Sequence, residues 1–426
     1  MRTTTPASCY RPRHHDAPFV MWRLGVLLVA IVSATTACHD DGMKTNPMAP
    51  APPALGGGGG SNATWIVNSL ADPGDGVCSN SECTLREAIN AAQTTDHITF
   101  RSNLRGTIGL AGAELLISKG VIIDGPGAGE LAVSGQNLSR VLLIAGGASV
   151  TISALTITGG NAIPNAGGGI SVQAGSRLTL IGMVVTGNSA EKGGGIFNLG
   201  GSLAVIGSTV AANNATNVGG GIFVGSDANP LAQLTVRRST ISDNTASTAA
   251  GIYFLCEDGC PATIASSTIT ANNATSGTGG GIWNYSQGIT IYNTIVAGNR
   301  GNGSLLDPDA DCWDAAGNFN SLGYNLTSAT TGCEIAGPTE VIVDASQVFA
   351  TVLEPVLAAN GSPRLTHALI ERGYAVDAGY CPGENGDQRG FPRPYDDPRM
   401  PNALDACDIG AFEWQPADTK VKGPKP

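Results

Sequence analysis

Five short words set a ruler along the middle of the chain. Ile170, Ile196, Ile222, Ile252 and Ile282 close the glycine-rich words AGGGI, KGGGI, VGGGI, TAAGI and TGGGI, at steps of 26, 26, 30 and 30 residues. A period of that length marks stacked supersecondary units, none of which can bury its apolar face alone. Between these words lies a second one, VVTGNSA, TVAANNAT, TISDNTAS, TITANNAT and TIVAGNR. Each starts with the two-residue alternation of a strand and finishes on asparagine at a turn. The predicted fold is therefore all-β, a single-stranded parallel β-helix in which each repeat is one coil and each strand pairs with its equivalent one coil on, about 4.8 Å away. Glycine is needed where the chain turns with positive φ or where coils approach too closely for a Cβ. Asn188, Asn214, Asn244, Asn273 and Asn299 are expected to form a column that can bond along the stack as an amide ladder. A β-sandwich is the rival, but it predicts strand-turn units of about 8–12 residues without repeated words.

Composition narrows function. Glycine accounts for 59 of 426 residues without a strict triplet, which excludes collagen, and a hydrophobic share of 42% excludes a disordered chain. The net charge of -11 leaves no basic stripe for phosphates, so no nucleic-acid partner is expected.

The first residues read as an address. From Met21 the chain runs MWRLGVLLVAIVSATTAC, one arginine, an apolar run and then small residues, which is the pattern of a secretory signal. The run is shorter than the roughly 20 residues that span a bilayer. Met21 is the better-looking start; residues 1–20 are otherwise a long n-region. Cys38 follows Thr35-Thr36-Ala37, which resembles the lipobox of bacterial lipoproteins, although Thr35 stands where leucine is usual. Acylation of Cys38 and simple cleavage by signal peptidase are both open. A Pro/Gly-rich linker follows, as a membrane stalk would require. Of ten cysteines, Cys9 lies in the leader and Cys38 is the candidate anchor. The other eight fall into local pairs, Cys78 with Cys83, Cys256 with Cys260, Cys312 with Cys333 and Cys381 with Cys407. In an exported chain they read as disulfides. Zinc is disfavoured, since the mature chain holds only His39, His97 and His367.

Before the coils, Thr84 to Ala92 predicts a short amphipathic helix that plugs the N-terminal end, with Thr84 as N-cap, Glu87 completing a capping box, and Leu85, Ala88, Ile89 and Ala92 on one face. The same stretch, WIVNSLADPGDGVCSNSECTLREAI, strongly resembles the motif of bacterial CSLREA-domain proteins, with Thr84 in place of serine. At the far end NTIVAGN, SLGYNL, LTHALIERGYAVDAG, DQRGFPRP and CDIGAFE look like the choice-of-anchor Q region of exported bacterial β-helix proteins. GGGIFN at 193–198 is similar to the short repeats of polymorphic outer membrane proteins. These resemblances imply a right-handed, pectin-lyase-like solenoid, exported to the outer membrane or cell surface or released outside the cell. They imply no catalytic residue. The expected order is a signal segment over 1–37, an anchor and linker over 38–63, and a CSLREA-like cap over 64–100. Coils follow over 101–300, then C-terminal coils with a disulfide-bearing, anchor-Q-like cap over 301–414 and a disordered tail over 415–426.

An enzyme of that fold needs paired carboxylates facing one groove, or acidic Ca²⁺ ligands beside a basic Lys or Arg. Charges between 150 and 300 are few and do not recur at equal positions in successive coils. Asp307, Asp309, Asp311 and Asp314 in DPDADCWD imitate the opening of a calcium loop, but Cys312 replaces its turn glycine, so the bland reading is a hydrogen-bonded loop. Asp387 and Glu413 can be read as an acid pair, or as members of a C-terminal cap in which arginines tie the acids while Phe391, Phe412 and Trp414 cover the last coil. Triad, Walker and zinc-protease motifs are absent, so no catalytic residue and no cofactor is assigned. Tyr253, Trp283, Tyr285 and Tyr292 are the candidates for stacking on a glycan. The functional expectation is a monomeric, non-catalytic surface protein, attached to the membrane by lipid, that binds a glycan or another cell-surface ligand or serves a structural role. The alternative is a polysaccharide lyase or glycoside hydrolase.

Overall fold

The computed structural model describes residues 62–416, apart from 227–231, 257–259, 286–287, 315–318, 329–331, 333–334 and 336. Cys38, the leader, most of the linker, the tail beyond 416 and Cys333 lie outside the described residues.

One coil shows how the repeat closes. Ile170–Val172 belongs to a first sheet of eight strands, Arg177–Ile181 to a second of ten, Val184–Thr186 to a third of ten, and Ser189–Lys192 to a fourth of four. Each strand pairs in parallel with its equivalent in the next coil, so the chain is a parallel β-helix. The isoleucines that end the glycine words do form a column, and the pairing extends it in both directions: Leu115, Leu142, Ile170, Ile196, Ile222, Ile252, Ile282 and Cys312, all buried. Parallel columns descend the second sheet (Leu178, Leu203, Leu234) and the third (Val185, Val210, Ile241, Ile269). Each buried aliphatic side chain contributes about 1.5–3 kcal/mol from area alone.

The asparagines also form a ladder, with a correction to its members. Asn188 Nδ2 donates to Asn213 Oδ1 (2.9 Å), Asn213 to Asn244 (3.0 Å), Asn244 to Asn272 (2.9 Å) and Asn272 to Asn299 (2.9 Å). Asn213 and Asn272 thus take the places expected of Asn214 and Asn273, which begin strands of the fourth sheet instead. At Asn213 the cause is a register shift in that sheet: Ala190 pairs with Ala215 but Lys192 with Val218, so an extra residue is absorbed after the ladder position. A second ladder runs at the corner of the second and third sheets. There Met183 N–H donates to Ser208 Oγ (3.0 Å), Ser208 N–H to Ser239 Oγ (3.1 Å) and Ser239 N–H to Ser267 Oγ (3.2 Å).

At the N-terminal end, the helix Leu85–Ala91 forms as the residues predict, with Thr84 Oγ1 accepting from Glu87 N and Thr84 N donating to Glu87 Oε2 (2.8 Å). Burial works against the ionised Glu87, but hydrogen bonds from Thr84 and Gly76 outweigh it and hold its carboxyl below the ordinary value. The disulfides Cys78–Cys83, Cys256–Cys260 and Cys381–Cys407 are present, and Cys312 is disulfide-bonded as well.

The disulfide-bearing C-terminal region, expected to cover the last coil, lies instead along the flank of the stack, because its polar groups bond to outward hydroxyls of several coils. Residues 353–414 form a strap over the outer side of the third sheet. Leu365 O accepts from Thr209 Oγ1 (2.8 Å), Gln388 Oε1 accepts from Thr240 Oγ1 (2.6 Å), His367 Nε2 meets Ser242 Oγ (2.7 Å), and Ala411 N–H donates to Thr268 Oγ1 (3.1 Å). A second apolar cluster, including Ile295, Leu326, Val352, Leu369, Val376, Ile409 and Phe412, fills the space beneath the strap.

Candidate functional site

The residue after each inward member of the first-sheet column points outward, and in five coils it is aromatic, after an isoleucine in four and after Cys312 in the fifth. Phe197, Phe223, Tyr253, Trp283 and Trp313 are in register on the first sheet. Their ring centroids are 4.7, 5.2, 4.5 and 4.6 Å apart in sequence, and neighbouring planes lie within 22° of parallel. Tyr285 adds a ring 5.7 Å from Trp283. Three of the four glycan-stacking candidates are therefore brought together. Tyr292 is not; it lies on the second sheet, paired with Ala265. The row also contains Phe197, Phe223 and Trp313, which the sequence reading missed although each directly follows an inward residue of the column.

The geometry limits what this row can bind. A sugar stacks on a free aromatic face, whereas both faces of Tyr253 and Trp283 are occupied by neighbouring rings. Burial, and then the nearby Tyr285, push the Tyr253 phenol up, so it is no ready proton donor. The row is a cohesive strip between coils. Trp283, with three ring neighbours at about 0.5–1.5 kcal/mol each, anchors it. Trp283→Ala should lower stability by about 2–3 kcal/mol in urea unfolding; a loss below about 0.5 kcal/mol would mean that the stacking contributes nothing.

The acidic loop does not converge on a point. Asp311 turns inward and ends the amide ladder: its carboxylate accepts from Asn299 N (3.0 Å), Asn299 Nδ2 (3.1 Å) and Ser328 N (3.0 Å), and from the Ser328 hydroxyl. Burial pushes its carboxyl up, against hydrogen bonds from Ser328 and Asn299 that pull it down. Asp307 accepts from Asn302 Nδ2 (2.6 Å) and Asp309 N (3.0 Å), while Asp314 sits on the first sheet beside Asn284. Among the described residues, Asp307, Asp309 and Asp311 are not one of the groups whose ligand atoms lie within 4.8 Å of one another.

Carboxylates and arginines do converge within the strap, with Arg237 reaching in from the coils, and their side chains are buried. Arg389 Nε pairs with Asp387 (2.8 Å), Arg393 Nε with Glu413 (3.0 Å), and Arg393 and Arg237 both reach Glu384 (3.6 and 3.3 Å). The Asp387, Arg389, Arg393 and Glu413 side chains are fully buried, and the Arg389 guanidinium lies 3.5 Å from the Phe412 ring centroid and 4.3 Å from that of Phe391. Glu413 N–H donates to Asp387 (3.1 Å), so the two acids are tied to one another through the backbone.

The second sheet keeps a half-exposed outward face, with Arg237 at one edge paired to Glu384 of the strap. Its outward central column runs Thr151, Thr179, Ala204, Thr235, Thr263 and Thr290. Ser149, Arg177, Ser202 and Gln233 flank it on one side, and Ile181, Ile206, Arg237 and Tyr292 on the other. Arg177 Nη1 donates to Ser202 Oγ (3.2 Å), and Ser202 Oγ donates to Gln233 Oε1 (3.2 Å), so the flank is a chain of polar contacts rather than a charged patch.

A comparison with protein-family models agrees with the architecture. The family model described as "Right handed beta helix region" matches residues 88–299. Among solved structures, the crystal structure of pectate lyase Pel9A is similar at 11% identity and a TM-score of 0.38, covering 84% of this chain and 97% of that one. No curated protein matches the sequence. The fold is a right-handed parallel β-helix of all-β class.

Proposed function

We propose that the protein is an exported, non-catalytic surface β-helix, anchored by lipid at Cys38, that binds carbohydrate along the open face of the second sheet. One observation carries this reading: the acids and bases that converge are buried inside the strap, while the outward face of the second sheet bears a row of hydroxyls. β-branched threonines have stiff χ1 angles, so the column presents preset donors and acceptors at the coil rise of about 4.8 Å. The apolar edge of Ile181, Ile206 and Tyr292 suits the C–H faces of a sugar, and the polar edge suits its hydroxyls. Disulfides favour an oxidising, exported setting.

The test combines retention with product analysis. The full-length mature protein is incubated with cellulose, chitin and polygalacturonate, and bound protein and released sugar are both measured. Retention on at least one polymer without unsaturated or reducing sugar is expected. The double variant Thr235→Lys/Thr263→Lys should weaken retention about tenfold, while Thr216→Lys on the fourth sheet should not. Release of sugar would replace the binding reading with the enzymatic one. Incorporation of a clickable palmitate should disappear in Cys38→Ala; equal labelling sinks the anchor.

A further inference from the structure

The outward columns of the second sheet continue past the threonines toward the N-terminal end. Thr151 pairs with Ile122 and Ile122 with His97, while the flank that bears Ile181 runs through Ser153 to Asp124. Among the described outward strand positions of this sheet, Asp124 is the one carboxylate and His97 the one imidazole. They stand diagonally across adjacent strands, because Asp124 pairs with Thr99, two residues beyond His97. Both reach solvent, with the Asp124 side chain 47% and the His97 side chain 39% exposed. Ser153 Oγ donates to Asp124 Oδ1 (2.8 Å) and fixes the carboxylate, leaving Oδ2 toward His97 Nδ1 at 3.9 Å. That separation is too long for a direct hydrogen bond, but one oxygen atom can lie within hydrogen-bonding reach of both. A sugar hydroxyl is donor and acceptor at once, so in that place it can accept from the imidazole N–H and donate to the carboxylate. We propose that His97 and Asp124 form the terminal subsite of the carbohydrate face and hold a hydroxyl of a neutral polysaccharide, with Ser153 as a positioning residue. The assignment rests on the carbohydrate-binding reading of this face and adds to it a substrate class and a direction.

The class follows from the charges on the face. A carboxylate at the end of a row of hydroxyls accepts from a sugar's own hydroxyls and repels the carboxylates of a uronate polymer. The cations of the sheet do not cancel it. Arg237 lies on the same flank four coil steps further on and is paired with Glu384 of the strap. Arg177 lies on the opposite flank, two coil steps on, and bonds Ser202. The direction follows from the two ends of the flank. Tyr292 stands six coil steps from Asp124, about 29 Å at the coil rise. A chain lying along the columns therefore meets a hydrogen-bonding end at Asp124 and an aromatic end at Tyr292, and its two orientations are not equivalent.

Depletion isotherms of the full-length mature protein on cellulose, chitin and polygalacturonate test this. Cellulose or chitin should bind at least about tenfold more tightly than polygalacturonate. Asp124→Ala and His97→Ala should each weaken that binding about fivefold, the scale of one hydrogen bond. Because both side chains hold one hydroxyl, the double variant should lose about as much as either single variant, far short of the product of the two. Glu130→Ala removes an equally exposed carboxylate from outside this sheet and should change nothing. Asp124→Asn keeps the shape of the side chain and supplies the same readout if Asp124→Ala fails to fold. Unchanged binding in the Asp124 and His97 variants, beside the loss expected of Thr235→Lys/Thr263→Lys, overturns the subsite and leaves the binding reading standing. Losses that multiply in the double variant overturn the shared hydroxyl, and tighter binding to polygalacturonate overturns the neutral class. Absence of retention on all three polymers overturns the subsite and the binding reading together.

Discussion

Asn213→Ala should cost about 3–5 kcal/mol in urea unfolding, and Asn214→Ala, one residue further on, no more than about 0.5 kcal/mol. Asn213 is buried and uses its whole amide. Oδ1 accepts from Asn188 N (3.1 Å) and Nδ2 (2.9 Å), and Nδ2 donates to Val185 O (3.0 Å) and Asn244 Oδ1 (3.0 Å). Truncation leaves four buried groups each short of a partner, at about 1–3 kcal/mol apiece before relaxation and water entry reduce the total. Asn214 is exposed at the start of a fourth-sheet strand. Equal losses at the two positions would place the ladder in the wrong register. Asn213→Asp should be at least as damaging at neutral pH, because a carboxylate can accept but cannot donate to Val185 O or Asn244 Oδ1.

The paired asparagines explain why the stack was legible and one of its columns was not. The inward isoleucines recur once per coil, and a one-residue slip would turn an entire strand inside out, so their spacing dictates the register. The ladder asparagines sit at a corner where the chain absorbs insertions. The step from Asn188 to Asn213 is 25 residues while that from Ile196 to Ile222 is 26, and equal spacing therefore pointed to Asn214. Neither residue type nor period separates two adjacent asparagines; only the fourth-sheet shift does.

The candidate binding face was hidden for a different reason. Segments such as RLTLI, QLTVR and ITIY announce alternating strands, and hence which residues point outward. They do not announce which outward face stays open. The third sheet carries its own hydroxyl column, at Thr209, Thr240 and Thr268, and loses it to a strap more than a hundred residues away in the chain. Exposure is decided by that long-range docking. The same docking encloses Asp387 and Glu413, whose sequence context alone favoured a cap but did not exclude an acid pair.

Gly221→Ala should destabilise the fold by about 3–5 kcal/mol, and Gly147→Ala by about 1–2 kcal/mol, although only Gly147 has a left-handed backbone. At Gly147, φ is +73° and nothing lies within 4 Å of an added Cβ, so the cost is conformational strain alone. At Gly221 a Cβ would stand 2.7 Å from Gly251 O, 2.9 Å from Asn244 Nδ2 and 3.1 Å from its Cγ. The obstacle is the backbone of the next coil and a ladder amide, neither of which can swing away as a surface side chain would. The same contact recurs: at Gly195 the added atom would meet Gly221 O at 2.6 Å and Asn213 Nδ2 at 2.9 Å. Relief would require opening the spacing between coils, which the strand pairs on either side of the corner hold near 4.8 Å. The third glycine of the word is thus the position that admits the amide ladder. The TAAGI word keeps it as Gly251 while accepting alanine at 249 and 250, and Ala249 takes a positive φ of 54°. Urea unfolding of the two variants decides between steric exclusion and backbone freedom as the reason for the repeated glycine. A larger loss in Gly147→Ala than in Gly221→Ala would assign it to backbone freedom.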